Sequence, residues 1–240
     1  MENLLQDVRY GVRMLLKNPG FTAVAILTLT IGIGANTAIF SVVNAVLLRP
    51  LPVEDPDTLV SVNKGADMHT ISFPDYLDYR SRNEVFSELV AWSEAPLSLN
   101  LDGQAEQAYG MVVSGNYFST LGVQPALGRF FSAEEDRTPG AHPVAVLSFA
   151  LWQSRFGGNP SIIGQNIKLK GQPFTVIGVA PKGFTSTYNV FAPAVYVPLM
   201  MQAQIKSQPN IFGERMSKYL KLTGRLKPGV SREQAQTALS

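Results

Sequence analysis

Residues 21–48, FTAVAILTLTIGIGANTAIFSVVNAVLL, contain no Asp, Glu, Lys, Arg or His. An uncharged apolar stretch of roughly eighteen or more residues reads as a transmembrane helix. At ~1.5 Å rise per residue this one would extend ~42 Å, longer than a hydrocarbon core of ~30 Å. The excess predicts tilt, or a helix that continues beyond the bilayer as a stalk. The chain is therefore expected to be fixed to a membrane near its N-terminus, with most of its residues on one side.

The flanks set the orientation. Arg9, Arg13 and Lys17 precede the run, whereas Arg49 alone follows it before Glu54, Asp55 and Asp57. Counting Lys and Arg, the positive-inside rule places the N-terminus in the cytoplasm and residues from about 50 onward outside. Residues 3–17 put Leu4, Leu5, Val8, Val12, Leu15 and Leu16 at helical spacing opposite Arg9, Arg13 and Lys17. That pattern predicts a basic amphipathic helix along the inner membrane surface, broken by Asn18-Pro19-Gly20. A cleaved signal peptide is the rival reading, but its apolar core is shorter, ~7–15 residues, and ends in small residues. Here the run ends in the bulky Val46-Leu47-Leu48.

Within the span, Gly32, Gly34, Ala35 and Ala38 bring small residues to helical spacing. Small residues let helix backbones approach closely in lipid, although membrane helices are in any case richer in Gly and Ala. Asn36 and Asn44 add amides that favour hydrogen-bonding partners over lipid. Gly32, Gly34, Asn36, Ala38 and Asn44 are thus candidate helix-packing residues, and the helix is expected to pack against others.

Beyond residue 49 the Lys plus Arg and Asp plus Glu counts are equal, and no basic run appears, which argues against a nucleic-acid partner. The absence of cysteine excludes disulfides, thiolate metal sites and Cys nucleophiles. Short strands are expected at 59–63, 144–147, 195–198 and 220–226, with hairpins around Asp102-Gly103 and across 170–173. Helices are expected after Ser72 (running towards Leu89), at 116–121, from Ser132, at 149–156 and over 232–239. The expected fold class is α+β: one N-terminal transmembrane helix, then a mixed α/β extracytoplasmic domain of one or two subdomains.

No chemistry-bearing constellation emerges. The glycines 158 and 164 are followed by Gln165-Asn166, so no phosphate loop G-x-x-x-x-G-K-[ST] is present. His69 and His142 lack metal-ligand spacing, and no G-x-S-x-G elbow holds a serine for attack. Glu134-Glu135-Asp136 reads as the acidic first turn of a helix before it reads as a cation site. Tyr76, Tyr79, Phe86 and Trp92 could line a groove, but read more simply as the core face of a helix and the next strand. No catalytic, cofactor-binding or metal-binding residue is expected.

Several blocks together resemble a known family. Asp7-Val8-Arg9-Tyr10, Asn18-Pro19-Gly20-Phe21-Thr22, residues 32–40 and Leu48-Arg49-Pro50-Leu51-Pro52 look like the acidobacterial duplicated orphan permeases. Ser114-Gly115-Asn116-Tyr117-Phe118, Leu121-Gly122-Val123, Pro125–Arg129, Val144–Ser148 with Trp152, Phe156-Gly157-Gly158, Ile163-Gly164, Val176–Pro181 and Arg225–Val230 are similar to the periplasmic core domain of MacB-like, FtsX-type ABC transporter permeases. The resemblance implies residues 1–20 as a cytoplasmic amphipathic helix, 21–48 as the first transmembrane helix and 49–240 as the core domain, incomplete at its C-terminus. It implies a permease subunit, or its N-terminal fragment, in the bacterial inner membrane. Its expected partners are an ABC ATPase subunit and a second permease unit, and its expected role is export of an amphiphilic substrate. An FtsX-like regulatory or binding module that does not transport is the alternative implication. The chain stops at Ser240 without the further spans that such permeases carry, as expected of a fragment or a truncated reading frame.

Overall fold

A computed structural model of the chain describes residues 2–47, 53–62, 70–101, 104–186, 192–208 and 211–238. The chain divides into two compact units, residues 1–49 and 50–240.

In the first unit, α1 (Glu2–Lys17) is followed by α2 (Pro19–Leu47). The break is confined to Asn18. Its amide donates to the Leu15 carbonyl at 3.2 Å and its side-chain Nδ2 to the Met14 carbonyl at 3.3 Å, satisfying two orphan acceptors at the end of α1. Thr22 Oγ1 donates to the same Leu15 carbonyl at 2.6 Å. Pro19 then opens α2, where its missing N–H costs nothing. Residues 19–41 form a helix long and apolar enough to cross a membrane, and none of it is buried against the rest of the chain. The hydroxyls of Thr28 and Thr37 donate back to the Val24 and Ile33 carbonyls at 2.8 Å, which removes two polar groups from the apolar surface.

The second unit is built on one nine-stranded sheet. Its elements are β1 (Leu59–Val62), α3 (Phe73–Arg82), β2 (Phe86–Leu101), β3 (Gln104–Val113), α4 (Tyr117–Thr120), β4 (Leu127–Gly128), β5 (Val144–Leu147) and α5 (Phe149–Phe156). Then follow β6 (Asn166–Leu169), β7 (Gln172–Val179), β8 (Val195–Pro198), α6 (Gln202–Lys206), β9 (Lys221–Leu226) and α7 (Arg232–Ala238). The long strand β2 organises them. On one edge it pairs antiparallel with β3, from Trp92↔Val113 to Leu101↔Gln104. On the other edge its first half pairs with β9, and Leu99 and Asn100 pair with β6.

Because β3 pairs with β8, β8 with β5, β5 with β7 and β7 with β6, the circuit returns to β2 and six strands close on themselves. Closure removes the exposed edges that an open sheet would present. The inward positions are apolar at the strand period of two. Ala95, Leu97 and Leu99 of β2 meet Val112, Ala145, Leu147, Ile167, Leu169, Phe174, Val176, Val195 and Val197 in one core. Met200, Met201 and Ile205 of the segment running into α6 join the same core. β1 and β9 extend the sheet outward from the first half of β2, with Tyr76 of α3 packed beneath.

A second core lies on the opposite sheet face. Phe118 of α4 stacks on Phe130 at 3.9 Å between ring centroids and meets Tyr196 edge-on at 5.1 Å, with Phe131 and Phe184 beside it. These contacts fix α4 and the strand-poor stretch 123–131 onto the sheet.

Two expectations are corrected. The helix after Ser72 ends at Arg82, where the Asn83 side chain accepts from the Phe86 amide and turns the chain into β2. Residues up to Leu101 are strand because Phe86–Leu89 pair with β9. Ser132 opens turns over residues 133–137 and no helix, with Glu135 accepting from the Ser132 amide and bound by Arg129. Asp102-Gly103 and His69 lie outside the described residues.

Candidate functional site

The Ser114-Gly115-Asn116 turn, between β3 and α4, is where the domain concentrates polar side chains. Ser114 is fully buried, accepts from the Ala91 amide at 3.1 Å and donates to Asn116 Oδ1 at 2.8 Å. Asn116 Nδ2 in turn donates to Glu88 Oε2 at 2.8 Å and to the Leu89 carbonyl at 3.3 Å. The turn is thereby pinned to β2, and Tyr117 and Phe118 are delivered into the second core.

Gly115 lets a second segment approach. A Cβ placed there would stand 2.7 Å from the Cβ of Asp136, too close for any side chain. Asp136 faces a cleft of about 430 Å³ lined by Arg80, Gly115, Asn116, Ser119, Phe131 and Arg137, among others. Its Oδ1 is buried and has no hydrogen-bond partner. Burial pushes its carboxyl up to about 6, against the opposing pull of the Gly115 amide and the Arg80 charge. The Tyr76 hydroxyl, also buried and without a well-formed hydrogen bond, is raised chiefly by burial and further by Asp136.

The carboxylates flanking Asp136 are used locally. Glu134 pairs with Arg137 at 2.9 Å. Glu135 takes a two-pronged bond from Arg129, at 2.6 and 2.9 Å, and accepts from the Ser132 amide at 2.8 Å. Burial pushes Glu135 up, but these bonds outweigh it and hold the carboxyl below its ordinary range. Neighbours in sequence, the three acids point at three different partners. No group of acids and histidines able to hold a metal occurs among the described residues.

A second cleft, about 350 Å³, lies against Ser119, Thr120, Glu54, Asp55, Glu88 and Arg225 and shares Ser119 with the first. Arg225 spends its guanidinium here, donating to the Thr120 carbonyl at 2.8 Å, Thr58 Oγ1 at 2.7 Å and the Glu54 carbonyl at 2.8 Å.

The residues singled out in the sequence are placed as follows. Arg9, Arg13 and Lys17 are exposed on α1, one turn apart along one face. Gly32, Gly34, Asn36 and Ala38 are exposed on α2, and nothing approaches the two glycines within 4 Å. At ~100° per residue, Gly32 and Asn36 share one face while Gly34 and Ala38 share the opposite one. Asn44 lies near the end of the same helix. Tyr76, Tyr79, Phe86 and Trp92 form no groove. The first three pack on the main core, whereas Trp92 belongs to the second and donates to Thr223 Oγ1 at 3.1 Å.

Arg225 and Arg80 carry no functional expectation in the sequence, and Asp136 is weighed there only within the acidic triplet Glu134-Glu135-Asp136. Also unforeseen is Lys206, which donates to Ser93 Oγ at 2.9 Å while burial lowers its pKa. Ser93 is only 2% exposed, and this pair ties α6 to β2.

Residues 19–41 form an apolar helix of membrane-spanning length, and the chain continues into a closed-sheet domain. The chain belongs to the MacB-like periplasmic core domain family, whose model matches residues 22–240. The fold is also that of solved relatives. The periplasmic region of MacB from Actinobacillus actinomycetemcomitans is 16% identical with a TM-score of 0.58, over 75% of this chain and 79% of that one. The extracellular domain of the noncanonic ABC-type transporter YknZ from Gram-positive bacteria is 17% identical with a TM-score of 0.53, over 75% and 86% respectively. A search of curated proteins gave no match.

Proposed function

We propose that the chain is a permease subunit, or the N-terminal part of one, of an ABC-type transporter in the bacterial inner membrane. In this reading α2 crosses the bilayer, α1 lies on the cytoplasmic surface with Arg9, Arg13 and Lys17 towards the headgroups, and residues after about 50 are extracytoplasmic. ATP hydrolysis by a partner subunit moves the outer domain, which acts on an amphiphilic substrate for export. The chain itself is not an enzyme. Two permease units pair, with Gly32, Gly34, Asn36, Ala38 and Asn44 packing α2 against neighbouring helices.

The observation that carries this reading is the unburied apolar helix at 19–41 leading into a domain of the MacB-like family. The test is co-expression with ABC ATPase subunits, followed by detergent extraction and measurement of ATP hydrolysis. Co-purification with stimulated hydrolysis supports the reading. Absence of any complex, with hydrolysis unchanged, refutes it. Reporter fusions after residue 50 test the orientation independently, because cytoplasmic reporter activity there would reverse it.

A further inference from the structure

The segment 132–137 carries its own ion pairs but has a single acidic contact with the rest of the domain. Glu135 is held by Arg129 and Glu134 by Arg137, all within the segment or just before it. Phe130 and Phe131 anchor the chain immediately upstream on Phe118. Asp136 reaches across to the Ser114–Asn116 turn, where its Cβ packs on Gly115 beside the Ser132 carbonyl.

The charges around it do not neutralise it. Arg80 of α3 is the cation on the opposite wall, yet no ion pair to Asp136 forms among the described residues. Tyr76, on the same helix, offers a buried neutral hydroxyl close to Ser114 and Arg80. From the turn come the Gly115 amide and the neutral Asn116, whose amide group is committed to Glu88. Arg137, on the segment itself, is committed to Glu134. An ionised Asp136 in this seat has only the Gly115 amide and the unpaired Arg80 charge to offset its desolvation, which outweighs them and costs free energy that a neutral carboxyl does not.

We propose that Asp136 is a pH-sensitive latch on the 430 Å³ cleft: neutral, it seats segment 132–137 on the Ser114–Asn116 turn; ionised, it releases the segment and widens the cleft. The carboxyl value of about 6 puts the switch in weakly acidic conditions. The proposal rests on the domain's geometry and is independent of the transport reading.

The chain has no cysteine, so a pair of introduced cysteines reports cleanly. Arg82→Cys on α3 and Ala133→Cys on the segment are both exposed positions. Spin labels on this pair, in the full chain in detergent micelles, are expected to give a short distance in acid and a longer one at neutral pH. The midpoint should fall near 6. Adding Asp136→Asn should hold the short distance throughout. Adding Arg80→Gln, which removes the one cation favouring the charged form, should move the midpoint upward. A distance independent of pH in the parent pair overturns the proposal without reference to either variant. An undiminished change with Asp136→Asn, or an unmoved midpoint with Arg80→Gln, also overturns it.

Discussion

Arg225, on β9, donates from Nη2 to the main-chain carbonyl of Glu54 at 2.8 Å, tying the segment that precedes β1 to the last strand in the sequence. The same guanidinium holds Thr58 and Thr120, and the Glu54 amide donates to the Leu121 carbonyl at 2.9 Å. Arg225→Ala leaves all three acceptors unpaired. Hydrogen bonds involving a charged group are worth ~1.5–3 kcal/mol each, less where solvent replaces them. A loss of about 2–3 kcal/mol is expected in denaturant unfolding, of which Arg225→Lys restores only part, because an ammonium cannot fork to three acceptors. An unfolding midpoint unchanged by Arg225→Ala would show that the staple carries no stability.

Gly122 is the other half of that junction. Its φ is +68°, and a Cβ there would run into the Cβ and carboxylate of Glu54. Gly122→Ala should cost about 2 kcal/mol or more, combining left-handed strain with the clash. Glu54→Gly in the same chain removes the obstructing Cβ and should recover the steric part but not the strain. A double-mutant cycle of thermal unfolding measures that coupling, and strict additivity would exclude the clash.

The sequence carried the local elements well and the closure of the sheet poorly. Ser148, Gly157 and the β-branched run at 144–147 announce β5 and α5, because a cap, a left-handed stop and a strand propensity are local signals. The closed circuit depends on Leu99 pairing with Leu169 and Gly110 with Val195, contacts between residues far apart in sequence that leave no periodicity to read. The same reason hid the clefts. Asp136 stands in an acidic triplet whose members look alike, and only the glycine across from it separates it from Glu134 and Glu135. Arg225 lies in a block that is conspicuous for its Pro-Gly turn, while its acceptors are more than a hundred residues upstream.

Asp136 should also leave a signature in stability. Its carboxyl stands at about 6 in the folded chain against 3.8 for an unperturbed group, so the folded state binds the proton more tightly. Stability is then greatest below the unfolded value and falls as pH rises from ~4 to ~6, by at most about 3 kcal/mol for a shift of this size. Asp136→Asn should flatten this segment of the pH profile and raise the melting temperature at neutral pH while changing little in acid. Parallel profiles for parent and variant across that window would contradict the assignment.

The last expectation concerns α2. Gly34 and Ala38 lie four residues apart on one face, and Gly32 and Asn36 on the opposite one, all exposed. Burying a leucine where a neighbouring helix backbone approaches a glycine forces the two apart, and overpacking of this kind costs ~1–3 kcal/mol, roughly tenfold or more in association. Gly34→Leu is therefore expected to weaken crosslinking between chains, or co-purification with other membrane segments, by about that factor. Gly32→Leu tests the other face separately. Loss with one variant alone identifies the face that meets a neighbour, and loss with both places α2 between two helices. Undiminished association in both variants would remove close packing at these glycines, leaving α2 as an anchor surrounded by lipid.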